Sequence, residues 1–283
     1  MGNTQQYKVV IKEYDDNLEL INKLGQLIKQ DYSDLFHSVI VHGSVATNEV
    51  IAYSDFDGLL VVKDNFISSK KLEKFKTESI KLILKFDPLQ HHGWFQIRES
   101  QLTDYPQYYL PYEILENSKL IFPKQASLEL NLTINKDDVD YKRSLKQLIG
   151  SINIQSRSNF ESVRIYDLKS FLSKVMLLPS MYYAAKYNQG IFKKESFNVV
   201  KNDFRADEWS CMDKASFIRY NWNYCLTPIQ KFIMTRPEKL FRRLTKKYVS
   251  PRISDDIFKE LDANFFKSLN LFIEKINKDI FAQ

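Results

Sequence analysis

Apolar residues recur along the first half of the chain with two alternating periods. Residues 15–30 place Leu18, Leu20, Ile21, Leu24, Leu27 and Ile28 three and four positions apart, which predicts a helix packed on a sheet. The runs 39–41 and 59–62 are short, continuous and apolar, and both predict strands. Residues 68–86 return to helical spacing through Leu72, Phe75, Ile80, Leu82, Ile83 and Phe86, behind a serine-rich start suited to capping. Asp87-Pro88 ends that helix, because the residue before a proline is pushed out of the helical region. Residues 89–97 predict a third strand, with Gln90, His92, Trp94 and Gln96 on one face and His91, Gly93, Phe95 and Ile97 on the other. The first, more polar face is the one expected to look toward a site. Residues 118–123 predict a final edge strand, and the polar, Asn-rich stretch 125–137 a linker.

The second half carries helical spacing throughout, in 140–160, 166–187, 196–204, 208–222, 228–242 and 255–280. This predicts a helix bundle. The expected fold class is therefore α+β, a mixed sheet with flanking helices followed by a C-terminal α-helical domain, with domains at 1–124 and 137–283.

Composition narrows the classes. A chain of 283 residues holds one large or two modest domains with a sizeable core. Seven glycines and eight prolines disfavour collagenous or linker-like architectures. The tyrosine-rich stretch 105–112 is punctuated by prolines and is expected mainly to cover the sheet, with base stacking as the other reading. Cys211 and Cys225 form neither a disulfide framework nor a metal signature, so a reduced, cytoplasmic setting is expected. The first twelve residues lack an apolar signal-peptide core, and no apolar run reaches bilayer length, so no membrane partner is expected. The net charge of +6 is modest for this length, and Lys and Arg are interleaved with acids. That balance accommodates a nucleotide and argues against a nucleic-acid partner. The basic cluster Arg242-Arg243 and Lys246-Lys247 reads as a solvated helix face.

Chemistry concentrates in 39–62, Val-Ile-Val-His-Gly-Ser-Val-Ala-Thr-Asn-Glu-Val-Ile-Ala-Tyr-Ser-Asp-Phe-Asp-Gly-Leu-Leu-Val-Val. Asp55 and Asp57, two residues apart at the mouth of a strand, share a face within reach of one divalent cation. Gly43 allows close backbone approach to a ligand, and Ser44 adds a hydroxyl.

The elements His42-Gly43-Ser44 and Ser54-Asp55-Phe56-Asp57-Gly58-Leu59 together resemble the signature of the DNA polymerase β-like nucleotidyltransferase superfamily. The layout is similar to that of small-molecule enzymes such as the antibiotic adenylyltransferases. The resemblance implies a nucleotidyltransferase-type catalytic domain over 1–124. It implies a cytoplasmic transferase that binds ATP as the expected nucleoside triphosphate and moves its nucleoside monophosphate to a hydroxyl of a small-molecule acceptor. Asp55 and Asp57 would be the catalytic metal ligands for one or two Mg2+ ions, with Gly43 and Ser44 binding the nucleotide. Lys174 on its helix, and Lys193 or Lys194 at the following turn, would approach the phosphates. The family's third carboxylate is missing from residues 89–97, where Asp87 and Glu99 stand only at the ends. Imidazole is a poor magnesium ligand, so three outcomes stay open: one metal is held firmly and a second weakly, Asp87 or Glu99 reaches in, or His92 acts as a catalytic general base. Two alternatives follow: a nucleotide-binding or antitoxin-like module with weakened catalysis, and a nucleic-acid 3′-end nucleotidyltransferase. Monomer and homodimer both stay open.

Overall fold

The computed structural model describes residues 4–156, 163–238 and 246–282, with side chains at 154–156 left aside. The chain forms two compact units, Met1–Val139 with Pro228–Lys246, and Asp140–Thr227 with Lys247–Gln283. Regular structure is mixed α and β.

The first unit is built on a six-stranded sheet: β1 (Thr4–Glu13), β2 (Phe36–His42), β3 (Asp57–Val62), β4 (Phe95–Arg98), β5 (Lys119–Phe122) and β6 (Ser127–Asn135). Their order across the sheet is β4-β3-β2-β5-β1-β6. β2 runs antiparallel to both β3 and β5, whereas β3 pairs parallel with β4 and β1 parallel with β5. The sheet is thus mixed. One face carries Val39, Val41, Phe56, Leu60 and Val62 under helices α1 (Glu19–Leu27) and α3 (Lys70–Phe86). The other carries Ile40, Leu59, Val61, Ile97 and Leu120, covered by Tyr105, Leu110, Tyr112 and Leu115. The N-terminus of α3 is capped as its serines predict, the Ser69 side chain accepting from the Leu72 N–H at 3.1 Å. The tyrosine-rich stretch does cover the sheet through Tyr105 and Tyr112, while Tyr108 stays largely exposed.

Three expectations are corrected here. Residues 127–135 are not a linker but strand β6, paired antiparallel with β1 along its length. Leu128, Leu130, Leu132 and Ile134 turn inward and Glu129 and Asn131 outward, so a stretch that is polar on average is a half-buried strand. β5 is interior rather than an edge, because β1, whose alternation through Val9 and Ile11 is equally diluted by polar residues, adds beside it. The expected third strand is short: residues 89–94 are irregular and only Phe95–Arg98 pairs.

In the second unit the described elements are helical: α5 (Tyr141–Ser156), α6 (Ile165–Val175), α7 (Leu178–Tyr187), α8 (Lys193–Val200), α9 (Ala206–Tyr220), Asp255–Glu260 and Ala263–Phe281. Helix α10 (Pro228–Met234) belongs to the first unit. The expected helix 166–187 breaks after Val175 and restarts with Pro179 in the first turn of α7. Proline is tolerated there because its missing N–H would have had no intrahelical partner. The expected helix 255–280 breaks likewise, Asp262 capping the second piece by accepting from the Phe265 N–H at 2.8 Å. That C-terminal helix packs on α9 and is tied to it by Ser268, whose Oγ accepts from the Cys211 N–H (2.8 Å) and donates to the Glu208 carbonyl (3.1 Å). Among the described residues no helix is long and apolar enough to cross a membrane.

Candidate nucleotide site

β2 delivers its alternating side chains to the two faces of the sheet, so His42, in phase with Ile40, emerges on the face opposite Val41. The chain then bends at Gly43, which adopts φ +68°, a left-handed conformation that glycine takes without the strain a β-carbon brings. One helical turn, α2 (Gly43–Ala46), follows. The Ser44 carbonyl accepts from the Glu49 N–H at 2.9 Å, and Asn48, at φ +57°, turns the chain back. Ser54 closes the return, its Oγ accepting from the Ile51 N–H at 3.0 Å.

Phe56 comes next and is fully buried, meeting the Trp94 ring edge-on with centroids 4.9 Å apart. Trp94 lies so close over Gly58 that a β-carbon at that position would sit 2.4 Å from the indole. Its Nε1 donates to Ser79 Oγ at 2.8 Å, anchoring the ring on α3. Phe56 is thereby a peg between two acids. Asp55 and Asp57 on either side of it are half-buried, and Asp57 stands opposite His42 in the β2–β3 register. The Asp57 carboxylate reaches back to the bend, with Oδ2 2.9 Å from where a Gly43 β-carbon would be.

His42 is almost wholly buried, and its Nε2 has no hydrogen-bond partner among the described residues. Burial holds its pKa below the ordinary histidine value, opposed by the Asp57 charge and reinforced by His92. Its ring lies 5.6 Å from that of Phe95. The histidine precedes the Gly-Ser pair in the sequence but was not among the expected site residues. Its in-phase relation to Ile40, which puts it on the face of Asp57, is the signal that marks it.

Gly43, Ser44, Asp55, Asp57 and His92 all lie in the first unit. Gly43 and Asp57 are brought into contact, and His92, exposed in the irregular stretch before β4, is near enough for its charge to act on His42. Lys174 on α6 and Lys193 and Lys194 at the start of α8 lie in the second unit.

Of the polar face expected to look toward the site, Trp94 and Gln96 look away from it. Gln96 pairs with Leu60 and Trp94 packs in the same cluster as Leu60, under α3, whereas Phe95 pairs with Leu59 on the side of Asp57. On the side of Asp57, β4 presents a phenylalanine and no carboxylate. Glu99 does not reach in either. β4 runs parallel to β3 with Arg98 opposite Val62, which puts Glu99 beyond the far end of β3, roughly 20 Å along the strand from Asp57. Asp87 is buried in the turn after α3, its Oδ1 accepting from the Leu89 N–H at 2.9 Å.

Gln90, also buried, holds the backbone between the two acids. Its Oε1 accepts from the Phe56 N–H (2.9 Å), and its Nε2 donates to the carbonyls of Phe56 (2.7 Å) and His92 (3.0 Å). Its own carbonyl accepts from Lys246 Nζ at 3.1 Å. Lys246 is fully buried, which corrects its reading as part of a solvated basic face, while Arg242 and Arg243 lie outside the described residues.

Asp55 and Asp57 supply hard carboxylate oxygens. Among the described residues no group of three or more His, Cys, Asp and Glu side chains is assembled to hold a metal ion. Two carboxylates fit a magnesium ion that keeps several waters and takes phosphate oxygens from a nucleotide, and they do not fit a cation caged by protein alone. A separate cavity of about 360 Å³, lined in part by Lys12, Thr47, Asn48 and Lys119, opens on the face of Ile121, opposite that of Asp57. No family model matches the chain, and neither does any curated protein.

Proposed function

We propose that the protein is a metal-dependent nucleotidyltransferase, moving a nucleoside monophosphate from ATP to a hydroxyl of a small-molecule acceptor with release of pyrophosphate. The carrying observation is the contact of Asp57 with the left-handed Gly43 bend, one residue past the Phe56 peg that separates it from Asp55. This reading takes the first unit as a nucleotidyltransferase-type sheet domain and the second as a helical bundle.

In it, Asp55 and Asp57 would hold Mg2+, which would supply charge neutralisation for the triphosphate and the pyrophosphate leaving group. Gly43 presents backbone without a side chain to obstruct the phosphates, and Ser44 adds a hydroxyl donor. His92 is exposed and able to accept a proton from the acceptor hydroxyl, whereas His42, buried and held neutral, is unsuited to exchange protons with solvent.

The test is pyrophosphate release from ATP and Mg2+ in the presence of a panel of hydroxyl-bearing acceptors, aminoglycosides and lincosamides among them, with Asp55→Asn as control. Transfer that vanishes in D55N supports the reading, and undiminished transfer in D55N refutes it. A second reading is favoured by Phe95, which stands where a further acid would complete the site. It makes the protein a nucleotide-binding module without turnover. Calorimetry separates the two, since binding of Mg2+–ATP with no pyrophosphate formed under any acceptor selects the module.

A further inference from the structure

The peptide groups on both sides of Phe56 lie at the entry to β3, and Phe56 itself precedes the first paired residue, Asp57. A backbone in that position has no strand neighbour to fix it. Here the fixing is done by one side chain. Gln90, 4% exposed, takes the Phe56 N–H on Oε1 and gives an Nε2 hydrogen to the Phe56 carbonyl, reproducing with an amide the pair of bonds a neighbouring strand would make. The Phe56 N–H belongs to the peptide that joins it to Asp55, and its carbonyl to the peptide that joins it to Asp57. The second Nε2 hydrogen holds the His92 carbonyl. Both amide hydrogens are thus engaged, and the three contacts fix the peptide groups that join Phe56 to Asp55 and to Asp57, together with the His92 carbonyl.

Gln90 is itself held. Its N–H donates to the Asp87 carbonyl at 3.1 Å, and its carbonyl receives Lys246 Nζ. A fully buried ammonium 156 residues away in sequence is a costly way to secure an ordinary loop, since burial penalises its charge unless hydrogen bonds compensate. Chemistry restricts the position. Glutamate has the length but no hydrogens for the two carbonyls, asparagine is one methylene short, and methionine fills the space without either bond.

We propose that Gln90 is the positioning residue of the site, its side-chain amide setting the directions in which Asp55 and Asp57 present their carboxylates to a divalent cation. This rests on the nucleotidyltransferase reading. Ligand carboxylates depend on the groups that orient them, and removing such a group weakens metal binding about ten- to hundredfold.

The test uses the full chain and Mn2+ as probe, its binding followed by electron paramagnetic resonance, with Gln90→Met, Gln90→Glu and Asp57→Asn compared against the wild type. Hydrogen exchange at the Phe56 amide is read in parallel. Gln90→Met is expected to weaken Mn2+ about tenfold or more and to speed exchange at Phe56, with a lower melting temperature from the hydrogen bonds lost. Gln90→Glu should fall between. Unchanged Mn2+ affinity in Gln90→Met, with binding lost in Asp57→Asn, overturns the role of Gln90 and leaves the metal site standing. Equal Mn2+ binding by Asp57→Asn and wild type, or none by the wild type, overturns both. Should Gln90→Met fail to fold, Gln90→Glu decides by the same criterion. Loop-like exchange of the Phe56 amide in the wild type removes the clamp outright.

Discussion

The Asp57 carboxylate lies against the α-carbon of Gly43, its Oδ2 2.9 Å from the point a β-carbon would occupy. Two residues fourteen positions apart in sequence therefore share one packing problem, solved by the absence of a side chain on one of them. The relationship follows from the β2–β3 register, which sets His42 opposite Asp57 and so brings the residue after the strand within reach of the carboxylate.

Gly43→Ala adds both a left-handed strain and that contact. The strain costs about 1–2 kcal/mol. The contact falls on the end of a side chain that is able to move, so it displaces Asp57 rather than the sheet. The expected outcome is a modest fall in urea midpoint together with a much larger loss of Mg2+–ATP binding by calorimetry. Equal losses in proportion would show that the bend serves only the fold.

Gly58→Ala places a β-carbon 2.4 Å from the Trp94 ring, itself wedged against Phe56 and Phe75. Overpacking of this kind costs about 1–3 kcal/mol. A lower melting temperature and a shifted Trp94 emission are expected, and a wild-type melting temperature would contradict the packing described.

The two thiols differ sharply. Cys225 is exposed, whereas Cys211 is buried on α9, where burial pushes its pKa up to about 12. Iodoacetamide at pH 8 should modify the native protein once, at Cys225, and twice only after denaturation, since the thiolate is the reactive form. Mass spectrometry of tryptic peptides reads this directly, and rapid native labelling of Cys211 would count against the α9 packing.

Asp279 sets a pH dependence. Burial pushes its carboxyl up, but donation from Lys275 Nζ (2.6 and 2.7 Å) and the Tyr182 hydroxyl (2.9 Å) outweighs that and holds it below the ordinary carboxylate value. A depressed folded value means the unfolded chain takes up the proton first on acidification. Stability from this group is therefore complete above the unfolded pKa, near 4, and drains away as pH falls through the folded value. The urea-midpoint gap between wild type and Asp279→Asn should be constant from pH 5 to 7 and close below pH 4. A gap that persists unchanged to pH 3 would rule the mechanism out.

Much was determined by sequence alone. The three-and-four spacing at 68–86 specifies a helix, because burying one face leaves the backbone a single period to follow, and the continuous apolar runs at 39–41 and 59–62, too short for a buried helix, mark strands. The candidate chemistry was legible for the same reason: Gly43-Ser44 and Asp55-Phe56-Asp57 are short-range patterns whose residues are near one another in sequence. What failed were the inferences about strand pairing and buried polar partners. β1 and β6 each dilute their apolar residues with polar ones and become recognisable as strands only when laid side by side, and β5 became interior because β1 adds beyond it. Whether Phe95 or Gln96 looks toward Asp57 depends on a parallel register no local pattern encodes. Lys246 reads as solvent-facing in a run of basic residues, and only the fold, by placing the Gln90 carbonyl against it, makes it a buried hydrogen-bond donor. Local periodicity is written in neighbouring side chains, whereas pairing register and buried polar partners are chosen by segments that meet only when the chain has folded.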